Sequence, residues 1–168
     1  MNILLSLLIY NPLEAYTVIL LCDVINFKRT ELTFRNFILL YVLGAINFCV
    51  QMVPYIWEGS IIHIYGNIIV SYGIIPIIVR KFYKVMCGDI SYCKVFVAEM
   101  IICMYTIVIS IMLNIVFEFN NIFINNNISH EFITNIVIFV VQIISYSIIR
   151  KWSISYEERF KENCRKIR

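Results

Sequence analysis

The sequence contains few of the residues from which enzymes build an active site. Only five glycines and two histidines occur among 168 residues, and no glycine-rich stretch matches a phosphate-binding loop. The motifs H-E-x-x-H and G-x-S-x-G are absent. Cysteines and histidines nowhere have the paired spacing of a zinc site. We therefore expect no enzyme activity, no metal site and no cofactor.

Charge is also scarce. Charged residues make up only 15% of the chain, whereas apolar residues make up 61% and the mean hydropathy is +0.82. A soluble domain has roughly 45–50% apolar residues. The composition therefore predicts an integral membrane protein surrounded by membrane lipids.

Long apolar runs occupy most of the chain. They cover residues 3–27, 37–57, 61–79, 95–117 and 132–149. A helix needs about 20 such residues to cross a bilayer, and the runs lack the strict alternation of a transmembrane barrel. The prediction is an all-α bundle of five transmembrane helices in residues 1–150, followed by a basic, helical tail at 151–168.

The basic residues predict the orientation. All fourteen lysines and arginines fall after the first run, after the third run or in the tail. The two other breaks contain Glu58, Glu118, His130 and Glu131, but no basic residue. By the positive-inside rule, the N-terminus lies outside and the C-terminus lies in the cytoplasm. The net charge of +3 then reflects anchoring to anionic lipids, and no nucleic-acid partner is expected.

This topology separates the histidines from the accessible cysteines. His63 and His130 fall on the outer side, whereas Cys87, Cys93 and Cys164 fall on the cytoplasmic side. A cysteine nucleophile needs its histidine within hydrogen-bond reach. An intramembrane cysteine protease is therefore excluded, and the reducing compartment predicts no disulfide.

Polar residues inside the apolar runs are candidates for a binding site, since each is costly in hydrocarbon unless it faces protein or water. They are Asn11, Glu14, Asp23, Asn47, Gln51, His63, Asn67, Glu99, Asn114, Asn135 and Gln142. Asp23 and Glu99 lie near the cytoplasmic end. We expect these two to snorkel or to pair with the basic loops.

Glu14 has two interpretations. Residues 11–14 read Asn-Pro-Leu-Glu, which is typical of a helix start with Asn11 as the N-cap. A helix that began at Pro12 would be about 24 Å long, too short to cross the bilayer, whereas one that began at Ile3 would be about 37 Å long. We favour the longer helix, kinked at Pro12. It places Glu14 in the outer half of the bilayer, where the carboxylate needs a partner.

The predicted ligand-binding residues all lie toward the outer side. Asn67 and Asn114 are expected at a depth similar to that of Glu14, and His63 lies near the outer loop at 118–131. The site is thus predicted to contain Glu14, His63, Asn67 and Asn114. The alternative for Glu14 is a structural role, as a helix cap or a packing group.

The segment Leu13-Glu14-Ala15, the basic cytoplasmic breaks and the charged helix after the last run resemble the sensor half of accessory-gene-regulator-type peptide pheromone receptor histidine kinases of low-GC Gram-positive bacteria. The resemblance implies that the outer half binds a small extracellular ligand such as a peptide. The signal would pass through the tail to a cytoplasmic signalling partner or within a homodimer. The family's phosphoacceptor histidine and ATP-binding domain are missing from the sequence to Arg168, which implies a kinase-less or truncated receptor.

Two other functions fit the same composition. One is a small transporter subunit that encloses a substrate, although such components usually have six helices and small residues on the first. The other is a membrane scaffold or immunity-type protein, in which the polar residues only hold the helices together.

Overall fold

The computed structural model describes residues 9–54, 61–120 and 127–166, and all regular structure in these ranges is helical. The helices are α1 (Asn11–Asn26), α2 (Phe34–Met52), α3 (Ile61–Ile69, Val70–Ile74 and Ile75–Met86 in succession), α4 (Tyr92–Asn120) and α5 (Asn127–Lys166). The all-helical prediction is therefore confirmed. The expected helix start at Ile3 lies outside the described residues.

α1 is the central helix of the bundle. It contacts each of the four other helices, which also contact one another in the order α2–α3–α4–α5. Its burial agrees with this position, because side chains on all sides of the helix, such as Ala15, Leu20 and Cys22, are fully buried. The four other helices thus pack around α1, and its buried side chains form much of the core.

Among the described residues, three segments are long and apolar enough to cross a membrane: Phe34–Met52, Tyr92–Leu113 and Ile136–Phe160. In the most apolar stretch of each segment, only 17% to 28% of the residues are buried within the protein. Large apolar side chains such as Met104, Ile111 and Ile144 are exposed along them. An apolar surface of this extent is suited to contact with lipid.

The N-terminal part of α1 packs closely against α2. A Cβ atom added at Gly44 would lie 2.7 Å from the main-chain carbon and oxygen of Asn11, so only glycine permits this approach. Tyr10 already has helical dihedral angles, and no side chain caps the start of α1. These features favour a helix that continues through Pro12 over one that Asn11 begins.

α3 changes its hydrogen-bonding pattern in its middle. Pro76 has no N–H with which to reach the carbonyl of Tyr72, four residues earlier. The preceding turn, Val70–Ile74, is π-helical, and the Ile75 N–H bonds to the Val70 carbonyl. The Tyr92 hydroxyl donates to the Tyr72 carbonyl at 2.7 Å, which satisfies the acceptor that Pro76 leaves open.

The connections after α1 and α3 meet at one end of the bundle. The first begins with Phe27, which has a left-handed φ of 52°, and the second contains Gly88 at φ 111°. They touch, because the Lys28 ammonium is 3.5 Å from the Cys87 carbonyl. We refer to residues 26–35, 80–94 and 150–153 together as the basic end.

Candidate functional site

Glu14 lies beside Gln51 of α2. The two side chains are close enough for the Gln51 amide to interact with the Glu14 carboxyl group. The sequence led us to expect Asn67 or Asn114 instead. The difference arises because Gly44 brings α1 against α2, and Gln51 lies seven residues from Gly44, on the same face of that helix.

A second carboxyl group lies near Glu14. Glu99, on α4, is near enough for the two carboxyl groups to influence each other electrostatically. Its Oε1 atom is buried and has no hydrogen-bond partner among the described residues. No described basic side chain pairs with Glu99, and the expectation that it snorkels stays a prediction. The nearest basic residue in sequence, Lys94, is bound instead to the Asn26 side chain at 3.0 Å.

Two amides next to this acidic pair have unused hydrogen-bonding capacity. Asn11 and Asn47 are each only 4% exposed, and neither Asn11 Nδ2 nor Asn47 Oδ1 has a partner in the part of the chain that the structure describes. Asn11 lies one turn before Glu14, and Asn47 lies one turn before Gln51, so each pair shares a helix face. We call Asn11, Glu14, Asn47, Gln51 and Glu99 the interior polar cluster. It offers both donors and acceptors to a ligand with polar groups.

His63 and Asn67 lie one turn apart on the first segment of α3, and both are half-buried. This segment packs against the end of α2, because a Cβ added at Gly66 would lie 3.3 Å from Pro54 Cβ. Pro54 follows Gln51 by three residues. The end of α2 that contains Gln51, the neighbour of Glu14, therefore lies next to α3.

Two parts of the predicted site lie outside the described residues. Asn114 belongs to α4, but its side chain lies outside the described residues. The centre of the predicted outer loop, at 121–126, also lies outside them.

A second polar cluster surrounds Asp23 at the basic end. The Asp23 side chain is fully buried and lies 3.2 Å from Arg150 Nη1 on α5. The Thr30 N–H and hydroxyl each donate to it at 2.8 Å, and the Tyr83 hydroxyl donates at 3.0 Å. One carboxylate thus joins α1, α3, α5 and the first connection. Asp23 pairs with a basic residue as expected, although that residue lies on α5.

Other basic side chains hold the connections of this end together. Arg35 donates to the Val85 carbonyl at 3.1 Å, and Arg80 donates to the Ile90 carbonyl at 2.9 Å. Lys84 and Asp89 form an exposed ion pair at 2.9 Å, and the Lys84 ammonium lowers the pKa of the Asp89 carboxyl. Basic residues from separate parts of the sequence therefore gather at one end of the bundle.

Hydrogen bonds between side chains also join α4 and α5. Gln142 donates to the Thr106 hydroxyl at 2.8 Å, and the Tyr105 and Ser145 hydroxyls are 3.0 Å apart. Such bonds hold helices together where lipid supplies no hydrophobic driving force. This role accounts for the Gln142 Nε2 group, whereas its Oε1 is buried without a partner among the described residues.

Comparisons of the chain with protein-family models, with curated proteins and with solved structures found no match.

Proposed function

We propose that the protein is a membrane sensor that binds a small extracellular ligand, such as a signalling peptide, and passes the signal to its cytoplasmic tail. In this proposal all five helices cross the bilayer, with the N-terminus outside. The gathering of Lys28, Arg35, Arg80 and Arg150 at one end of the bundle supports a cytoplasmic location for that end.

The continuity of α5 is the observation that carries this proposal. The helix has 40 residues, from Asn127 to Lys166, and so extends about 60 Å. It runs without interruption from the opposite end of the bundle to the basic tail. A displacement at its start can therefore reach the tail without crossing a flexible joint.

The contact between α5 and α1 provides a point at which this movement could be controlled. Arg150 pairs with the buried Asp23, and the Ser153 hydroxyl donates to the Val24 carbonyl at 3.2 Å. Breaking a buried ion pair is costly. A shift between α1 and α5 is therefore expected to proceed between two distinct arrangements.

The interior polar cluster is the proposed ligand site, with His63, Asn67 and Asn114 contributing from α3 and α4. The carboxylates suit a cationic group of the ligand, and the unpaired amide atoms suit its peptide groups. The site lies on α1, the helix that Asp23 joins to α5. A ligand signals only if it binds one arrangement of these helices more tightly than the other.

The test uses a spin label on the tail at Cys164, with the other five cysteines replaced. We expect conditioned medium from the source bacterium to change the mobility of the label, or its distance from the label of a partner in a homodimer. Asp23→Asn should abolish this response, because it weakens the contact between α1 and α5. If active medium changes neither the mobility of the label nor the distance between labels, the sensor function is excluded.

A transporter subunit is the second candidate, because an acidic pair inside a helix bundle is also suited to a cationic substrate. Vesicles that contain the protein should then accumulate a radiolabelled solute, and Glu14→Ala should stop the uptake. If neither a tail response nor uptake occurs, a scaffold or immunity-type function remains.

A further inference from the structure

A groove at the basic end lies beside α5. Its volume is about 750 Å³, and it is lined by Phe27, Lys151, Trp152, Ser155, Tyr156 and Arg159, among others. It is separate from the interior polar cluster, because these residues lie at the end of α1 and on the second half of α5.

The aromatic wall of this groove is largely uncovered by protein. Trp152 is 76% exposed and Tyr156 is 69% exposed, and the two lie one turn apart on α5. Indole and phenol rings concentrate at the level of the lipid headgroups. Both lie in the last third of the apolar segment Ile136–Phe160, which agrees with a position near the membrane surface.

The backbone at Phe27 is a second observation. Phe27 follows the last residue of α1 with a φ of 52°, a conformation for which glycine or asparagine is usual at a helix end. A bulky residue in this conformation is unusual and suggests a role for its side chain. That side chain forms the wall of the groove opposite α5.

The charge of the lining indicates the kind of ligand. Lys151 and Arg159 line the groove, whereas no described carboxylate is among its lining residues. Arg150, which is next in sequence to Lys151, is already bound to Asp23. The two remaining cations, with the Ser155 hydroxyl beside them, match a phosphodiester with an acyl chain that can lie against the rings.

From these features we propose that the groove is a binding site for an anionic phospholipid, with Lys151 and Arg159 on the phosphate and Phe27, Trp152 and Tyr156 against the glycerol and upper acyl chain. The proposal is independent of the sensor function. It requires only that the basic end lies at a membrane surface.

Brominated lipids test the proposal directly, since bromine quenches tryptophan fluorescence at short range. The chain has two tryptophans, so Trp57→Phe leaves Trp152 as the only fluorophore. The full chain is placed in phosphatidylcholine bilayers with either brominated phosphatidylglycerol or brominated phosphatidylcholine at equal mole fraction. We expect the anionic lipid to be preferred by at least about fivefold, the amount that one cation at an anionic surface contributes.

Two double variants separate this site from general surface attraction. Lys151→Gln with Arg159→Gln should reduce the preference to about onefold. Arg29→Gln with Lys81→Gln removes the same charge from exposed residues of the basic end outside the groove, and should keep the preference. The proposal would be overturned if both double variants lost the preference for the anionic lipid equally, or if the parent chain showed no such preference.

Phe27→Gly provides a further test that a folding defect cannot imitate. Glycine relieves the left-handed backbone, so the variant should unfold at a higher temperature and yet show weaker quenching of Trp152 by the brominated anionic lipid, because the lipid loses its contact with the ring. Undiminished quenching would exclude the groove as the site. A change of oligomeric state without any change in quenching would instead assign the groove to a second copy of the chain.

Discussion

Arg150 Nη1 lies 3.2 Å from Asp23 Oδ2, and the two residues are 127 positions apart in the sequence. The Asp23 side chain is fully buried, whereas that of Arg150 is 17% exposed. The pair joins the central helix to the helix that leaves the bundle. Among the described polar contacts of the Asp23 carboxylate, this one joins the residues that are farthest apart in the sequence. It is also the expected link between the interior polar cluster and the tail.

Arg150→Leu should destabilise the protein by about 3–5 kcal/mol, because it leaves the buried Asp23 carboxylate without its cation. Adding Asp23→Asn to this variant should recover part of the loss, since the amide no longer needs a counter-ion. Thermal unfolding can be followed by thiol labelling of the fully buried Cys22 in a background from which the other cysteines are removed.

The control for this prediction is Lys84→Ala. It breaks the ion pair with Asp89, in which both side chains are more than half exposed, so it should leave the unfolding temperature almost unchanged. If Arg150→Leu is as mild as Lys84→Ala, the pair does not hold α5 to α1.

Gly44→Ala should be destabilising by about 1–3 kcal/mol. The added methyl group would lie 2.7 Å from main-chain atoms of Asn11, and a backbone inside a packed helix pair cannot move aside as a side chain can. Gly73→Ala is the matched control, because nothing lies within 4 Å of its added Cβ. The labelling assay should show a lower unfolding temperature for Gly44→Ala only, and equal effects would mean that α1 and α2 can separate without cost.

Much of the fold could be predicted from the sequence because it depends on local composition. In the described residues each apolar run overlaps a helix. The helix bounds differ from those of the run where polar residues extend the helix. The run at 61–79 ends before the basic residues that follow, whereas α3 continues to Met86. The run at 132–149 likewise lies within α5, which continues to Lys166.

The partners of the polar residues could not be predicted in the same way, because they depend on which helix faces touch. Glu14 was expected near Asn67 by depth alone, whereas close packing at Gly44 gives it Gln51. The spacing of Gly44, Asn47 and Gln51 was an available signal, since it places a small residue and two amides on one face of α2. No comparable signal identified α1 as the central helix.

Glu14→Ala and Glu99→Gln should have opposite effects on stability. The first removes the acceptor of the Gln51 amide and should cost about 1–3 kcal/mol. The second replaces a carboxyl group whose buried Oε1 has no partner among the described residues and should be neutral or stabilising, because an ionisable group is costlier to bury than an amide. Glu14→Gln keeps the shape and should be milder than Glu14→Ala.

The same labelling assay compares these three variants. Identical unfolding temperatures for Glu14→Ala, Glu14→Gln and the parent chain would show that Glu14 lies at a hydrated helix end and not in a packed interior. The ligand response of the tail, measured on folded variants, then separates a role in binding from a role in stability.

The proposed topology predicts which cysteines a membrane-impermeant thiol reagent can reach. Cys93 is exposed at the basic end, and Cys164 lies on the last turns of α5. If the basic end is cytoplasmic, single-cysteine variants that retain either residue should react only after the cells are opened. Cys49 lies toward the other end of α2 and serves as the comparison for a residue inside the membrane. Labelling of Cys164 in intact cells would reverse the proposed orientation and place the ligand site on the cytoplasmic side.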